Sequence, residues 1–77
     1  MHFLLLVIFR VDITWGRERG KRIIVPKSKM FSVEPGAVLS PKGVDAMAET
    51  MLSQMVEEMA KEHSEFLILS HSLTKVL

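Results

Sequence analysis

The clearest structural signal in the 77-residue sequence is the stretch PKGVDAMAETMLSQMVEEMAKEH, residues 41–63. Its apolar side chains recur at spacings of three and four residues, which is the period of one helix face. These side chains are Val44, Met47, Ala48, Met51, Leu52, Met55, Val56, Met59 and Ala60. Because Ser40 offers a capping hydroxyl and Pro41 suits the first helical position, the pattern predicts one amphipathic helix over residues 41–63.

The apolar face of this predicted helix is wider than a single sheet requires. At 100° per residue it spans about 220°, whereas a helix lying on a sheet needs an apolar stripe of little more than about 100°. The flanks, with Met47 on one side and Val56 and Ala60 on the other, therefore call for additional cover.

Ahead of the helix, the opening residues MHFLLLVIFRVDITW predict a β-strand. The apolar run from Phe3 to Phe9 is too short for a membrane span, which needs about 20 residues, and it lacks the flanking features of a secretory signal. Residues 3–8 are apolar on both faces of the strand. From Phe9 onward the pattern alternates, and one face carries Phe9, Val11, Ile13 and Trp15.

A β-hairpin is predicted next. Gly16 and Gly20 bracket a charged tip, and the run KRIIVP, residues 21–26, is rich in β-branched residues and closed by proline. Residues 9–25 are therefore predicted to form a hairpin. Beyond it the sequence predicts a polar break at residues 27–29, a short third strand at 30–33 and a turn at Pro35-Gly36.

A returning strand follows the helix, because Phe66-Leu67-Ile68-Leu69 is apolar on both faces, as interior strands are. With a helix of about 20 residues before it, we expect residues 66–70 to run parallel to residues 3–9 through a right-handed connection. Residues 71–77 fit either more strand or a turn of helix. The predicted fold class is α+β, a two-layer α/β sandwich of order ββ(β)αβ, in a single small domain over residues 1–77.

The composition limits the kinds of site and partner that the chain can have. The chain has no cysteine, which excludes disulfides and thiolate sites and favours a cytoplasmic location. Its charge is divided unevenly. Residues 1–43 hold eight Lys and Arg against three Asp and Glu, a net +5, whereas residues 44–77 hold two against six, a net −4. This polarity suits a charged partner or the mutual steering of two copies.

Small size and two-sided apolar strands predict self-association. Strands that are apolar on both faces need two covering layers, and the chain offers one helix, which covers one face. We therefore expect a homo-oligomer, most simply a dimer, that buries the second sheet face or the helix flanks. The predicted interface residues are Met47, Met51, Met55, Val56 and Met59. The four-residue spacing of the methionines would also allow a Cu(I) site. Because their thioethers are spread over 12 residues of helix, packing is favoured and no metal is expected.

The hairpin offers an alternative function. Its cations, with Trp15 beside them, would suit a β-ribbon laid along a phosphate backbone. They are Arg17, Arg19, Lys21, Arg22, Lys27 and Lys29. An exposed basic loop is also common as solvated edge protection, or as a surface for an acidic protein such as the helix of another copy.

No catalytic constellation emerges. His2, His63 and His71 have no partner at metal-ligand spacing, and the glycines fit no phosphate-binding loop. The leading hypothesis is a non-enzymatic protein-interaction module, such as a small regulator, inhibitor or assembly adaptor, that acts as a homo-oligomer without a cofactor and binds a protein partner not specified by the sequence. Nucleic-acid binding through residues 15–29 is the alternative, and an enzyme with a site shared across a dimer interface is the third possibility.

Overall fold

A computed structural model describes residues 1–33 and 41–76, and side chains from residue 43 onward in the second range. The chain runs through strand β1 (His2–Asp12), strand β2 (Arg22–Ser32), helix α1 (Pro41–Glu62) and strand β3 (Glu65–Val76). The strands form one sheet in the order β2-β1-β3, and α1 packs on one face of it, over β1 and β3. The predicted α+β class and ββαβ order are confirmed.

The helix follows its sequence pattern closely. It covers Pro41–Glu62, against a prediction of residues 41–63. The buried side of α1 contributes Met55 and Met59 to the core, with Met51, Leu52 and Val56 packed around them. The predicted cap at Ser40 and the predicted turn at Pro35-Gly36 lie outside the described residues.

The hairpin is longer than predicted. β1 and β2 pair antiparallel over eleven residues each, from His2 opposite Ser32 to Asp12 opposite Arg22. The predicted polar break at 27–29 and the separate strand at 30–33 are both wrong, because β2 continues through Pro26. A proline lacks a donor for one ladder hydrogen bond, but β2 is an edge strand, where such a loss is tolerated.

The direction predicted for the last strand is also wrong. β3 pairs antiparallel with β1, from His2 opposite Val76 to Asp12 opposite Glu65, and it includes residues 71–76. The helix connects β2 to β3, so the two strands that its crossover makes parallel are β2 and β3. These strands lie on opposite sides of β1 and do not touch each other. The prediction that β1 is the parallel partner fails because the crossover joins two strands that are not neighbours in the sheet.

A register shift interrupts the pairing of β3 with β1. Ser70 lies opposite Ile8 and Ile68 lies opposite Phe9, so Leu69 is left without a partner on β1, as in a β-bulge. Before the bulge, Ile68 points toward the helix, and after it Leu73 does so. The bulge therefore keeps apolar side chains of both halves of β3 on the helix side.

The core lies between α1 and the helix-facing side of the sheet. Its centre is formed by alternate residues of β1, namely Leu5, Val7, Phe9 and Val11, together with Met55 and Met59. The Phe9 ring meets the Phe66 ring edge to face, with centroids 5.9 Å apart. β1 is thus buried on one face by period-two alternation, as a half-covered strand should be.

The hairpin tip is shaped by two glycines. Gly16 and Gly20 have φ values of 84° and 89°, in the left-handed region that favours glycine. The amide of Gly20 donates to the carbonyl of Ile13 at 2.7 Å, and the amide of Ile13 donates to the carbonyl of Lys21 at 2.9 Å. The tip is therefore a closed, hydrogen-bonded turn that carries Arg17 and Arg19 outward.

Candidate interaction surfaces

The sheet face turned away from α1, called the open face below, carries an apolar centre. Residues directly opposite each other in an antiparallel pair point to the same face, so the register defines its members. Its apolar side chains are Leu4, Leu6 and Ile8 on β1, Ile24, Pro26 and Met30 on β2, and Leu67 and Val76 on β3. Along β3 the same face is lined with hydroxyls from Ser70, Ser72 and Thr74.

Several of these apolar side chains meet solvent. Ile24 and Met30 are 58% and 57% exposed, and Leu6 and Leu67 also rank among the exposed large hydrophobic residues. With strands of eleven residues at about 3.3 Å each and a strand spacing of about 4.8 Å, the open face measures about 36 by 14 Å, or roughly 500 Å². Only part of this area is apolar, because serines, Thr74 and the charged residues at the tip end share the face.

The chain exposes more surface than its mass predicts. Its accessible surface is 5750 Å² at 8.7 kDa, whereas a folded monomer of that mass is expected to expose about 4,700 Å². Its radius of gyration is 15.1 Å, against about 11.5 Å for a compact 77-residue domain. The excess of roughly 1,000 Å² is comparable with the ~800 Å² that each partner buries in a standard interface.

Charged side chains lie at the end of the open face that is nearest the hairpin tip. Asp12 Oδ1 lies 3.4 Å from Arg10 Nε and 3.5 Å from Arg22 Nε. Arg10 Nε and Asp12 Oδ1 are both shielded from solvent, and neither makes a hydrogen bond of good geometry to any described residue. These three residues therefore form a charged rim beside the apolar centre, an arrangement typical of interfaces.

The five predicted interface residues, called the methionine ladder below, lie in different environments. They are Met47, Met51, Met55, Val56 and Met59. Met55 and Met59 are 4% and 2% exposed and belong to the core of the chain itself. Met51 and Val56 are half-buried and pack against that core. Met47, at 37% exposure, is the most exposed of the five side chains. The role of these residues in an interface stays a prediction.

Three of the predicted cations lie in the hairpin tip. Arg17, Arg19 and Lys21 are all exposed, and Lys21 Nζ lies 3.4 Å from Glu18 Oε1, in an ion pair open to solvent. The tip therefore brings together three of the six cations that the sequence predicts for nucleic-acid binding.

The other three cations lie along β2 and do not share one face. Arg22 belongs to the open face, opposite Asp12, whereas Lys27 and Lys29 point to the helix side. Lys29 Nζ lies 3.4 Å from Glu58 Oε1 of α1. A phosphate backbone that followed the hairpin would therefore meet a basic tip and then two lysines beside an acidic helix.

A cavity of about 320 Å³ lies where the base of the hairpin tip meets the end of α1. Its walls are residues 12–15 on one side and residues 60–64 on the other. The hydroxyls of Thr14 and Ser64 lie 3.0 Å apart and join the two walls. Trp15, at 83% exposure, forms part of the rim. The alternation in the sequence puts Trp15 on the buried face of the strand, but β1 ends at Asp12 and leaves the indole in solvent.

The histidines are dispersed. The His2 ring lies 2.7 Å from the Ser32 hydroxyl at one end of the sheet, His63 follows α1 with Nε2 4.0 Å from Glu62 Oε2, and His71 lies in β3. Within residues 1–33 and 41–76, no group of three or more His, Cys, Asp or Glu side chains is arranged to hold a metal ion. In the same part of the chain, no helix has the apolar length that crossing a bilayer requires.

The apolar pattern on both faces of the strands predicts an uncovered sheet face, whereas the sequence does not predict the cavity. The residues that line the cavity can be read in the sequence, since Thr14 and Trp15 precede the first glycine of the tip and Ser64 follows the helix. What brings them together is the antiparallel pairing of β3 with β1, which the sequence does not reveal. No protein-family model, curated protein or solved structure matches the chain.

Proposed function

We propose that the chain is a non-enzymatic protein-interaction module that acts as a homo-oligomer, most simply a dimer whose copies pack open face against open face. The observation that carries this proposal is the uncovered apolar centre of the sheet. In such a dimer each copy supplies the second covering layer that the other lacks.

The size of the open face fits this occupant. A face of roughly 500 Å² on each copy gives about 1,000 Å² in total, at the lower bound for a specific interface. Two sheets stacked face to face lie about 10 Å apart, so Leu4, Leu6 and Ile8 of the two copies would interdigitate. A two-fold axis makes the same patch serve both copies, which satisfies the requirement that a dimer interface be self-complementary.

The dimer then presents its remaining surfaces in pairs. Both copies of α1, with the carboxylates of Glu49, Glu57 and Glu58, lie on the outside, and both basic tips project from the sheet ends. Such paired charged surfaces suit a regulator, inhibitor or assembly adaptor that binds a further protein. The fold contains no second helix to compete for the open face within the described residues.

The test is the mass of the full chain in solution across concentration. Multi-angle light scattering and sedimentation equilibrium should give a mass near twice 8.7 kDa above a midpoint in the micromolar range, because an interface of this size rarely supports tighter binding without strong anchors. A monomer mass at every concentration up to 1 mM (roughly the upper limit of such measurements) would exclude the proposal.

A further inference from the structure

We infer that the cavity at the base of the hairpin tip is a binding site for single-stranded nucleic acid, with one base stacked on Trp15 and the adjacent phosphates held by Arg17 and Arg19. This inference rests on the tip and not on the open face, so it stands apart from the dimer.

The first observation is the indole itself. Trp15 is 83% exposed, far more than any other large apolar side chain of the described chain. An aromatic ring in this position offers a stacking platform, and every nucleobase has a face that stacks on it. A Cβ added at the following residue, Gly16, would meet nothing within 4 Å, so the turn is open at the position next to Trp15.

The second observation is the charge of the tip that follows Trp15 in the sequence. Residues 16–22 carry Arg17, Arg19, Lys21 and Arg22 against Glu18 alone, a net +3. Arg17 and Arg19 are exposed, and their guanidinium groups make no ion pair with a described carboxylate. They are therefore available for phosphates, which they bind with paired N–H donors.

The third observation is the cavity beside the ring. At about 320 Å³ it lies at the lower end of the size range of small-ligand sites, about 300–1,000 Å³. The hydroxyls of Thr14 and Ser64 both donate and accept, as the edge of a base requires. Lys61, Glu62 and His63 line the helix side and Asp12 lines the opposite side, so the cavity carries carboxylates as well as cations. The phosphates are therefore assigned to the arginines of the tip and only the base to the cavity.

The geometry favours a single strand over a duplex. Stacking on Trp15 requires a base that is free of its own neighbours, which a duplex does not offer. The tip presents only three or four cations in a short turn, and the next lysines along β2 face the acidic helix. About three phosphates are thus neutralised, which is enough for a short single strand.

The test uses the sole tryptophan of the chain as its reporter. Oligo(dT) and oligo(U) of ten nucleotides should each quench the fluorescence of the full chain at 50 mM salt, and the affinity should fall about 20-fold by 200 mM salt for about three phosphate contacts. A ten-base-pair duplex should bind at least tenfold more weakly. The two single strands serve as separate arms for DNA and RNA.

Variants separate stacking from charge, with anisotropy of a labelled oligonucleotide as the readout. Trp15→Ala should weaken binding about 5- to 100-fold, whereas Trp15→Phe should retain most of it, because stacking is worth about 1–3 kcal/mol per base. The double variant Arg17→Ala/Arg19→Ala should lower the salt slope, and Lys75→Ala, an exposed cation at the far end of β3, is the matched control. Circular dichroism checks that each variant is folded.

Three results would overturn the inference. They are no quenching by either strand at 50 mM salt, equal affinity for duplex and single strand, or binding that Trp15→Ala leaves unchanged. Quenching that rises with protein concentration alone would instead assign the indole to contact with another protein copy. Repeating the titration on the open-face variant Ile24→Lys distinguishes this site from the dimer, because binding at the tip should persist in a monomer.

Discussion

Lys29 of β2 and Glu58 of α1 meet across the edge of the sheet, with Nζ and Oε1 3.4 Å apart. Among the ion pairs of the described residues, this pair alone joins the basic half of the chain to the acidic half. The opposite charges of the two halves therefore stay on separate surfaces, a basic hairpin tip and an acidic outer helix. If many ion pairs joined the two halves, the chain would have neither a basic tip nor an acidic helix surface.

The Lys29–Glu58 pair should contribute little to stability. Both side chains are partly open to water, at 37% and 66% exposure, and pairs of this kind contribute about 0–1 kcal/mol. A double-mutant cycle with Lys29→Ala and Glu58→Ala, followed by urea unfolding, should give a coupling free energy below about 1 kcal/mol that shrinks further in 0.5 M salt. A coupling above about 2 kcal/mol would contradict the exposed geometry.

Substitutions in the methionine ladder should differ in their effect on stability according to how deeply each side chain is buried. Met59→Ala should lower the free energy of unfolding by about 2–5 kcal/mol, because it empties a fully packed site under β1. Met47→Ala, the same substitution three turns earlier, should cost less than about 1 kcal/mol, because its side chain is 37% exposed. Equal losses in chemical denaturation would show that Met47 is buried in solution.

The tip glycines should resist replacement for conformational reasons alone. A Cβ added at Gly16 or Gly20 meets nothing within 4 Å, so the cost of Gly20→Ala comes from its φ of 89° and should be about 1–2 kcal/mol. Gly20→Asn should cost less, since asparagine tolerates this region better. Thermal unfolding of the two variants compares them directly, and an asparagine variant less stable than the alanine variant would refute this explanation.

Charges placed on the open face should dissociate the proposed dimer without unfolding the chain. Ile24→Lys and Met30→Lys replace side chains that are more than half exposed, so their effect on the monomer should be within about 0.5 kcal/mol. The matched control is Gln54→Lys on the outer face of α1. Light scattering should give a monomer mass for the first two and a dimer mass for the control. Dimers that persist in both open-face variants would move the interface elsewhere.

The features predicted correctly from sequence are those that depend on local patterns. The bounds of α1 follow from the spacing of Val44 to Ala60 and from Pro41, and the hairpin follows from the glycines around its tip. Each signal lies within about twenty residues, where period and turn chemistry determine structure.

The features predicted wrongly depend on neighbours in space. Pro26 would end β2 only if the sheet needed the backbone N–H that proline lacks. Because β2 is an edge strand, that N–H is not needed, and the sequence does not show which strand lies at the edge. Residues 66–70 have the same apolar pattern in a parallel and an antiparallel strand, so the pattern contains no direction. The open face could be inferred by counting layers, but its boundaries required the register, and the cavity beside Trp15 required the meeting of β1 with the end of α1.

The unpaired Leu69 makes β3 one residue longer than its pairing with β1 requires. Deletion of Leu69 would place Ser70 directly after Ile68, so the existing pairs with Ile8 and Phe9 would follow in regular succession and Leu73 would still face the helix. Replacement of Leu69, which is 48% exposed, changes none of these directions. β3 should therefore tolerate the loss of one residue at the bulge, whereas a one-residue change of length elsewhere along the paired strand would turn the side chains beyond it to the other face.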